Sequence, residues 1–380
     1  MNSALEKSIS FLVFIGIGIL LKKKISTTEE TNGLKTIILT IALPSTIFIA
    51  LLNVNITSNL VMFPFLVLFF NCVLFAITPL LLRFLGIHPT SLSGRSAQLL
   101  IPSLAPGLSC FPFILEFLGN DSLAKAAMAD LGNKFFVLFL LYLVALQWHY
   151  KNNVDFEKTS VKSKLKSLLK TLLYEPVNVF IFVALVLVFS GITLDELPSL
   201  LSTTLSRLSI LMTPLVLLFI GLAAKINKKQ FIQLFSLLIL RASFTLVVMV
   251  GIISLLHVSD KNDILVMLVF GLSSCSFWPF AHISAINSKE KHQNSDKKTF
   301  NVNFALSIIA LSLPISVLLI LGIFSAGDTF TELNSILGLC GVLFLVGIIY
   351  PIFLKIKSTT IDERTSEKTI KSEKEVRFSE

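Results

Sequence analysis

Asp130, Asn133 and Lys134 sit about midway along an apolar stretch of the sequence, at a depth where ionisable groups are costly and turn toward a cavity or one another. Asp130 and Lys134 are four residues apart, so on a helix they share a face and can pair. Two readings follow. Either Asp130 gains and loses a proton while Lys134 balances its charge or contacts an anion, or the two form a permanent pair that makes the helix insertable. A second chemical signal is a duplicated interruption. GLSCFPF at Gly107–Phe113 and GLSSCSFWPF at Gly271–Phe280 look like copies of one element, each inside a hydrophobic run of spanning length. Proline removes an N–H donor, and breakage at membrane depth is tolerated where the freed backbone faces protein or a watery cavity. If Pro112 and Pro279 open second half-helices, their N-termini meet near the midplane and offer partial positive charge to an anion. Gly107, Ser109, Cys110, Ser274 and Ser276 complete this candidate substrate site, with hydroxyls that donate to a carboxylate or accept from a coupling ion. The competing reading is a pair of prolines that only kink helices at packing contacts.

Asn303 occupies the place in the second half that Asn133 holds in the first, and the two could bracket the crossing, whereas helix–helix hydrogen bonding is the competing role, above all for Asn301. His282, three residues past Pro279, has the ordinary pKa near 6.5 of a proton carrier, with packing as the blander role. Arg241 is a further buried cation, for substrate, for lipid phosphate, or snorkelling to the interface. Trp278 lines a pocket or packs. Only one acid lies at this depth, which suits a proton or a uniport cycle better than sodium. Cys72, Cys110, Cys275 and Cys340 all fall in apolar segments without CxxC spacing, so they indicate neither a disulfide framework nor a metal site, and no cofactor motif is present.

The elements that position these residues are membrane spans. The chain has 380 residues, 54% hydrophobic and 14% charged, with 33 Phe and a mean hydropathy of +0.83, far outside a soluble domain. Apolar segments recur about eleven times, roughly at 8–21, 33–53, 60–82, 94–118, 121–146, 173–192, 205–224, 230–256, 263–284, 300–324 and 335–354. The net charge of +9 does not point to nucleic acid, because the lysines and arginines cluster in alternate loops, as cytoplasmic loops do. That alternation predicts a multi-pass protein of the cell (plasma or inner) membrane with its N-terminus outside and its C-terminus in the cytoplasm. KKKISTTEE after the first segment has no small-residue cleavage site, so that segment is expected to be a retained span.

Residues 1–147 and 172–325 read as two five-helix repeats, and an odd number of spans per repeat inverts the second. ALPSTIFIALL at Ala42 pairs with MTPLVLLFIGL at Met212, and LGNKFFVLFLL at Leu131 with FNVNFALSIIA at Phe300. The linker 148–171 carries an amphipathic pattern of Val161, Leu165, Leu168, Leu169, Leu172 and Leu173 among lysines, expected to lie on the membrane surface as a connector or a lipid-responsive gate. Residues 326–357 supply an additional span, and the tail 358–380 is expected to be disordered.

LPSTIF in the second segment, GLSCFPFILEFLGNDSLAKAAMADLGNKFF, EPVNVF opening the sixth, TPLVLLFIGLAAK in the seventh, PFA after the second break and ALSIIALSLPI in the tenth together resemble the auxin efflux carrier family of membrane transporters. The resemblance implies the fold shared by sodium/proton antiporters and bile acid symporters, in which helices four and nine cross as broken helices. It also implies export or exchange of small organic anions, and a homodimer through the scaffold helices. The family's first crossover reads like NxGxxGxP; here Gly107 and Pro112 match, while Ala105 and Cys110 replace the Asn and the second Gly. The substrate class therefore is not inherited outright.

The expectation is an all-α polytopic membrane protein with an inverted repeat, crossed broken helices four and nine and one extra C-terminal span. In function it is a secondary transporter of a small organic anion, a carboxylate or dicarboxylate, working by alternating access within membrane lipid. The coupling candidates are Asp130, Lys134 and His282. A channel or membrane receptor on the same fold is the alternative. HExxH, paired-aspartate and P-loop motifs are absent, so an intramembrane enzyme is not expected.

Overall fold

Helix is the only regular structure among the described residues of the computed structural model, which are 3–25, 27–53, 58–152, 161–223, 230–292, 298–349 and 351–352. Seven helical stretches are long and apolar enough to cross a membrane: Ala4–Leu21, Glu29–Leu52, Met62–Phe84, Phe111–Asn152, Ser199–Ala223, Phe231–Leu255 and Val302–Ser325. The first lies in α1 (Ser3–Leu21). The second is composite: α2 (Thr28–Ile37), a π-helical turn at Ile38–Ala42 and α3 (Leu43–Leu52). Thr27 and Glu30 start it with a reciprocal capping box, which satisfies two orphan N–H donors at the membrane edge. The π turn falls where Pro44, in the first turn of α3, withdraws the N–H that residue 40 would accept.

The third stretch lies in α4 (Ser58–Phe84). Two of the eleven apolar segments, 94–118 and 263–284, are divided between shorter helices. Segment 94–118 is split into α5 (Leu92–Leu100), the short α6 (Pro106–Ser109) and the start of α7 (Phe111–Phe135). Gly119, at φ 81°, kinks α7 and separates the fourth segment from the fifth; that backbone conformation is open to glycine at no steric cost. A second π turn, Phe136–Leu140, joins α7 to α8 (Leu141–Asn152). The amphipathic linker pattern falls on α9 (Val161–Tyr174), which bends by 62° into α10 (Pro176–Phe189).

Next come α11 (Ser199–Ile210) and α12 (Met212–Ala223), interrupted a turn before Pro214, then α13 (Phe231–Leu255). Segment 263–284 is split into α14 (Lys261–Gly271) and α15 (Phe277–His292). The last elements are α16 (Val302–Ser325) and a shorter apolar helix, α17 (Leu333–Ile349).

Packing places the split segments inside. α4 lies along α7, α1 along α12, and α3 against α10 and α11. At the α4–α7 contact a Cβ on Gly132 would sit 1.9 Å from the Pro64 carbonyl oxygen, so only glycine lets the two backbones approach there. Phe65, Phe69, Leu80, Phe182, Phe189, Ile210, Leu255 and Leu345 are exposed on the periphery. An apolar outer surface of that kind is a liability in water and a requirement in lipid. α17 is tied to α13 by Ser236, which donates to the Gly347 carbonyl, and by Ser243, which donates to the Cys340 carbonyl at 2.8 Å.

Candidate functional site

The first break, residues 101–105, follows from proline spacing. Pro102 and Pro106 withhold the N–H groups that would close onto residues 98 and 102, and Ala105, held out of the helical region at φ −128° and ψ 65° by the following proline, cannot continue the turn. The second break, Ser273–Ser276, contains three serines among four residues, and serine hydroxyls compete for backbone groups outside helices. Pro279 lies in the first turn of α15, where its missing N–H has no intrahelical partner to lose.

The two breaks are joined to each other. The Ala105 N–H donates to the Ser274 carbonyl at 2.8 Å. Ser109 Oγ accepts from the Ser274 N–H at 3.0 Å, and Ser103 Oγ from the Ser276 N–H at 3.0 Å. Both hydroxyls in turn donate to nearby carbonyls, Ser109 to Ala105 and Ser103 to Leu100. The Cys275 N–H reaches Ser312 Oγ at 3.2 Å. Backbone groups that left their helices are thereby satisfied within the protein interior, as burial requires.

Two side chains complete that accounting. Asn133, 2% exposed, uses its full hydrogen-bonding capacity. Its Oδ1 accepts from the Leu104 N–H at 3.2 Å and from Asn71 Nδ2 at 3.1 Å; its Nδ2 donates to the Leu104 carbonyl at 2.9 Å and to Asp130 Oδ1 at 2.8 Å. The amide clasps one peptide unit of the break on both sides. Arg241 on α13, also buried, donates Nε to the Ile101 carbonyl at 2.7 Å and Nη2 to the Ser103 carbonyl at 3.2 Å. A cation is thus set where α5 ends and carbonyl oxygens accumulate, the favourable sign for a helix C-terminus.

Beside the breaks lies a cavity of about 280 Å³, lined by Gly107, Asp130, Asn133, Lys134 and Ser276, and also by Lys35, Glu175 and Trp278. Lys134 Nζ is its electrostatic hub: 3.1 Å from Glu175 Oε1, 3.5 Å from Asp130 Oδ2 and 2.9 Å from Asn178 Oδ1. Asn178 Nδ2 donates to the Leu172 carbonyl at 2.6 Å, so the hub is wired to the end of the amphipathic α9. Lys35 lies 4.6 Å from the centroid of the Phe277 ring, within cation–π range. The cavity therefore holds two lysines facing two carboxylates. At its wall the N–H groups of Gly107 and Phe277, in the first turns of α6 and α15, make no hydrogen bond among the described residues.

Of the residues expected from the sequence, Gly107, Asp130, Asn133, Lys134 and Ser276 meet at this cavity. Ser109 and Ser274 lie behind it, engaged in the contact between the breaks. Cys110, Pro112 and Pro279 are buried and do not line it. The first interruption precedes Pro106, because the pair Pro102 and Pro106 disrupts the ladder first, and a second one at Cys110 leaves Pro112 in the first turn of α7. Asn303 is exposed and does not line the cavity; the neighbouring Asn301 instead caps α16 and bonds to Ser93 and Ser96 of α5. His282 is buried beside Tyr142, with Nε2 3.0 Å from the Val137 carbonyl. Sequence reasoning missed Lys35, Glu175, Asn178 and Asn71. Lys35 and Glu175 stand at segment ends and read as interfacial charges, although Glu175 directly before Pro176 was a signal of a helix start within reach of the membrane.

These features define a multi-span helical membrane protein with a largely apolar cavity at two interrupted helices, in which two lysines balance two carboxylates. No protein-family model matches the chain. It is 29% identical over 199 residues, 51% of this chain, to a protein of Methanocaldococcus jannaschii described as an uncharacterized transporter. The match spans 60% of that relative's length.

Proposed function

We propose that this chain is a secondary transporter that moves a small organic anion by alternating access around the two breaks. The observation that carries the reading is the cavity itself, where cross-bonded interruptions of two helices adjoin helix-start N–H groups that have no partner among the described residues and the Lys134–Asp130–Glu175 cluster. The N-terminus of α15 and the ammonium groups suit a carboxylate. Asp130 and Glu175 compete with that carboxylate for Lys134, so arrival of substrate anion and protonation of one carboxylate favour each other; this is a physical basis for proton coupling. His282 has no place in that exchange, since it does not line the cavity.

Packing supports an inverted repeat with crossed broken helices, as in the auxin efflux carrier family. Under that repeat the first and sixth segments correspond, as do the second and seventh. The first lies along the seventh (α1 on α12), and the sixth along the second (α10 on α3). Pro44 and Pro214 interrupt the second and seventh segments at matching places. The distribution of lysines supports a cell-membrane protein with its C-terminus in the cytoplasm, and dimerisation through the scaffold helices remains the family's implication. The test is uptake of labelled mono- and dicarboxylates into proteoliposomes with and without an inward proton gradient. Gradient-stimulated uptake that becomes gradient-insensitive in Asp130→Asn or Glu175→Gln supports the reading; absence of flux for every anion tried contradicts it.

A further inference from the structure

A second cleft, of about 320 Å³, opens at the end of the bundle where α5 begins and α8 ends, and is lined by Pro89, Thr90, Arg95, Gln98, Trp148, Lys151 and Asn152. It shares no residue with the cavity described above. Its charged lining residues are both cations, Arg95 and Lys151, and neither forms an ion pair among the described residues. Arg95 Nη1 is buried and has no hydrogen-bond partner among them. A guanidinium nitrogen shut away from water with nothing to donate to is costly, and such a group in a folded protein calls for a missing acceptor.

The cleft is firmly built. Gln98 Nε2 donates to the Pro89 carbonyl at 2.7 Å and to the Gly94 carbonyl at 3.2 Å, fixing the loop that forms one wall. Ser91 caps α5 through the Gly94 N–H, and Asn152 Nδ2 holds the Lys298 carbonyl at 3.1 Å from the opposite side. Its position also matters, since α5 runs directly from Arg95 into the first break.

We infer that this cleft binds a phosphate-bearing anion, with Arg95 as its forked donor and Lys151 as its second charge. A guanidinium matches the tetrahedral oxygens of phosphate in geometry and charge, and the volume leaves room for the small polar group that a phosphate ester carries. The source is either the headgroup of an acidic phospholipid or a soluble phosphate ester.

The test is equilibrium binding of radiolabelled inorganic phosphate to the full chain in phosphatidylcholine nanodiscs. The expected result is saturable binding of about one phosphate per chain, weakened roughly tenfold or more by Arg95→Gln, as loss of charged hydrogen bonds implies, weakened also by Lys151→Gln at the exposed rim, and unchanged by Arg207→Gln. Displacement of label by phosphatidic acid built into the disc assigns the site to lipid; displacement by glycerol phosphate in solution but not by the lipid assigns it to a soluble ester. No saturable binding by the folded wild type, or binding equally strong in the Arg95→Gln and Lys151→Gln variants, overturns the inference.

Discussion

At the scale of single residues, Asn133 is the keystone of the first break. Its amide satisfies both polar groups of the Leu104 peptide unit and orients Asp130 at the same time. In Asn133→Ala the Leu104 N–H and carbonyl are left buried without partners, and each such group costs about 1 to 3 kcal/mol. The expected result is a loss of about 2 to 4 kcal/mol in unfolding free energy, read as a lower melting temperature in detergent, with Asn133→Gln recovering little because the longer amide cannot keep both contacts. Arg241→Met is expected to act in the same direction by about 2 to 4 kcal/mol, since carbonyls of Ile101 and Ser103 lose a charged donor. The sequence made Asp130, Asn133 and Lys134 legible, because polar side chains in a Leu- and Phe-rich run are conspicuous. It hid the roles of their partners. Asn71 and Asn178 lie 62 and 44 residues away from the groups they bond, and nothing local in the chain records those distances. It also framed Lys134 as half of an ion pair with Asp130, whereas the shorter ion contact is to Glu175, at 3.1 Å against 3.5 Å.

At the scale of elements, the approach of α4 to α7 sets the position of the charged cluster. Gly132 lies between Asp130 and Asn133 and directly under the Pro64 carbonyl, so any side chain there pushes the two helices apart. Gly132→Ala is expected to destabilise by about 1 to 3 kcal/mol, the usual range for overpacking, and to reduce transport more than stability alone explains, since Asp130, Asn133 and Lys134 move with the helix. Thermal unfolding and initial uptake rates on the same preparation separate the two effects. The existence of the breaks was readable from duplicated Gly, Ser and Pro residues. Their extent was less so: a helix boundary falls at each of Pro102, Pro106 and Pro112, and the backbone freed at the first of these is absorbed by the Asn133 and Arg241 contacts. The apolar segments were readable by hydrophobicity, but not the running of the end of the fourth into the fifth as one kinked helix. α7 and α8 continue one another through a π turn, and the boundary that Gly119, Asn120, Asp121 and Ser122 mark in the sequence is a kink at Gly119 within α7.

At the scale of the molecule, one end of the bundle carries a buried polar anchor. Beyond the apolar part of α15, Glu290 is buried against His149 and Thr299, with contacts at 2.9 Å to His149 Nδ1 and 3.1 Å to the Thr299 N–H. Burial pushes the Glu290 carboxyl up, but these hydrogen bonds outweigh it and hold the group below the ordinary carboxylate value of about 4.3. A depressed folded-state pKa contributes stability above the unfolded value, and that contribution is lost as pH falls through the folded value. The melting temperature of the wild type is therefore expected to fall below about pH 4, more steeply than that of Glu290→Gln, whose lower starting stability lacks this titration. A scan of melting temperature against pH on both proteins checks it. This anchor fastens the ends of α8 and α15 to the start of α16, leaving the region around the breaks as the place where a bundle could rearrange.

The central claim, a carrier cycle and not an open pathway, is tested most directly by counterflow. Proteoliposomes loaded with a high concentration of unlabelled carboxylate are diluted into trace labelled carboxylate, with no proton gradient imposed. A carrier that turns its loaded cavity from one side to the other accumulates label transiently above equilibrium, and Lys134→Met, which removes the ammonium between Asp130 and Glu175, is expected to abolish that overshoot. Label that rises only to equilibrium, at a rate indifferent to the unlabelled pool and to Lys134, would contradict the carrier account.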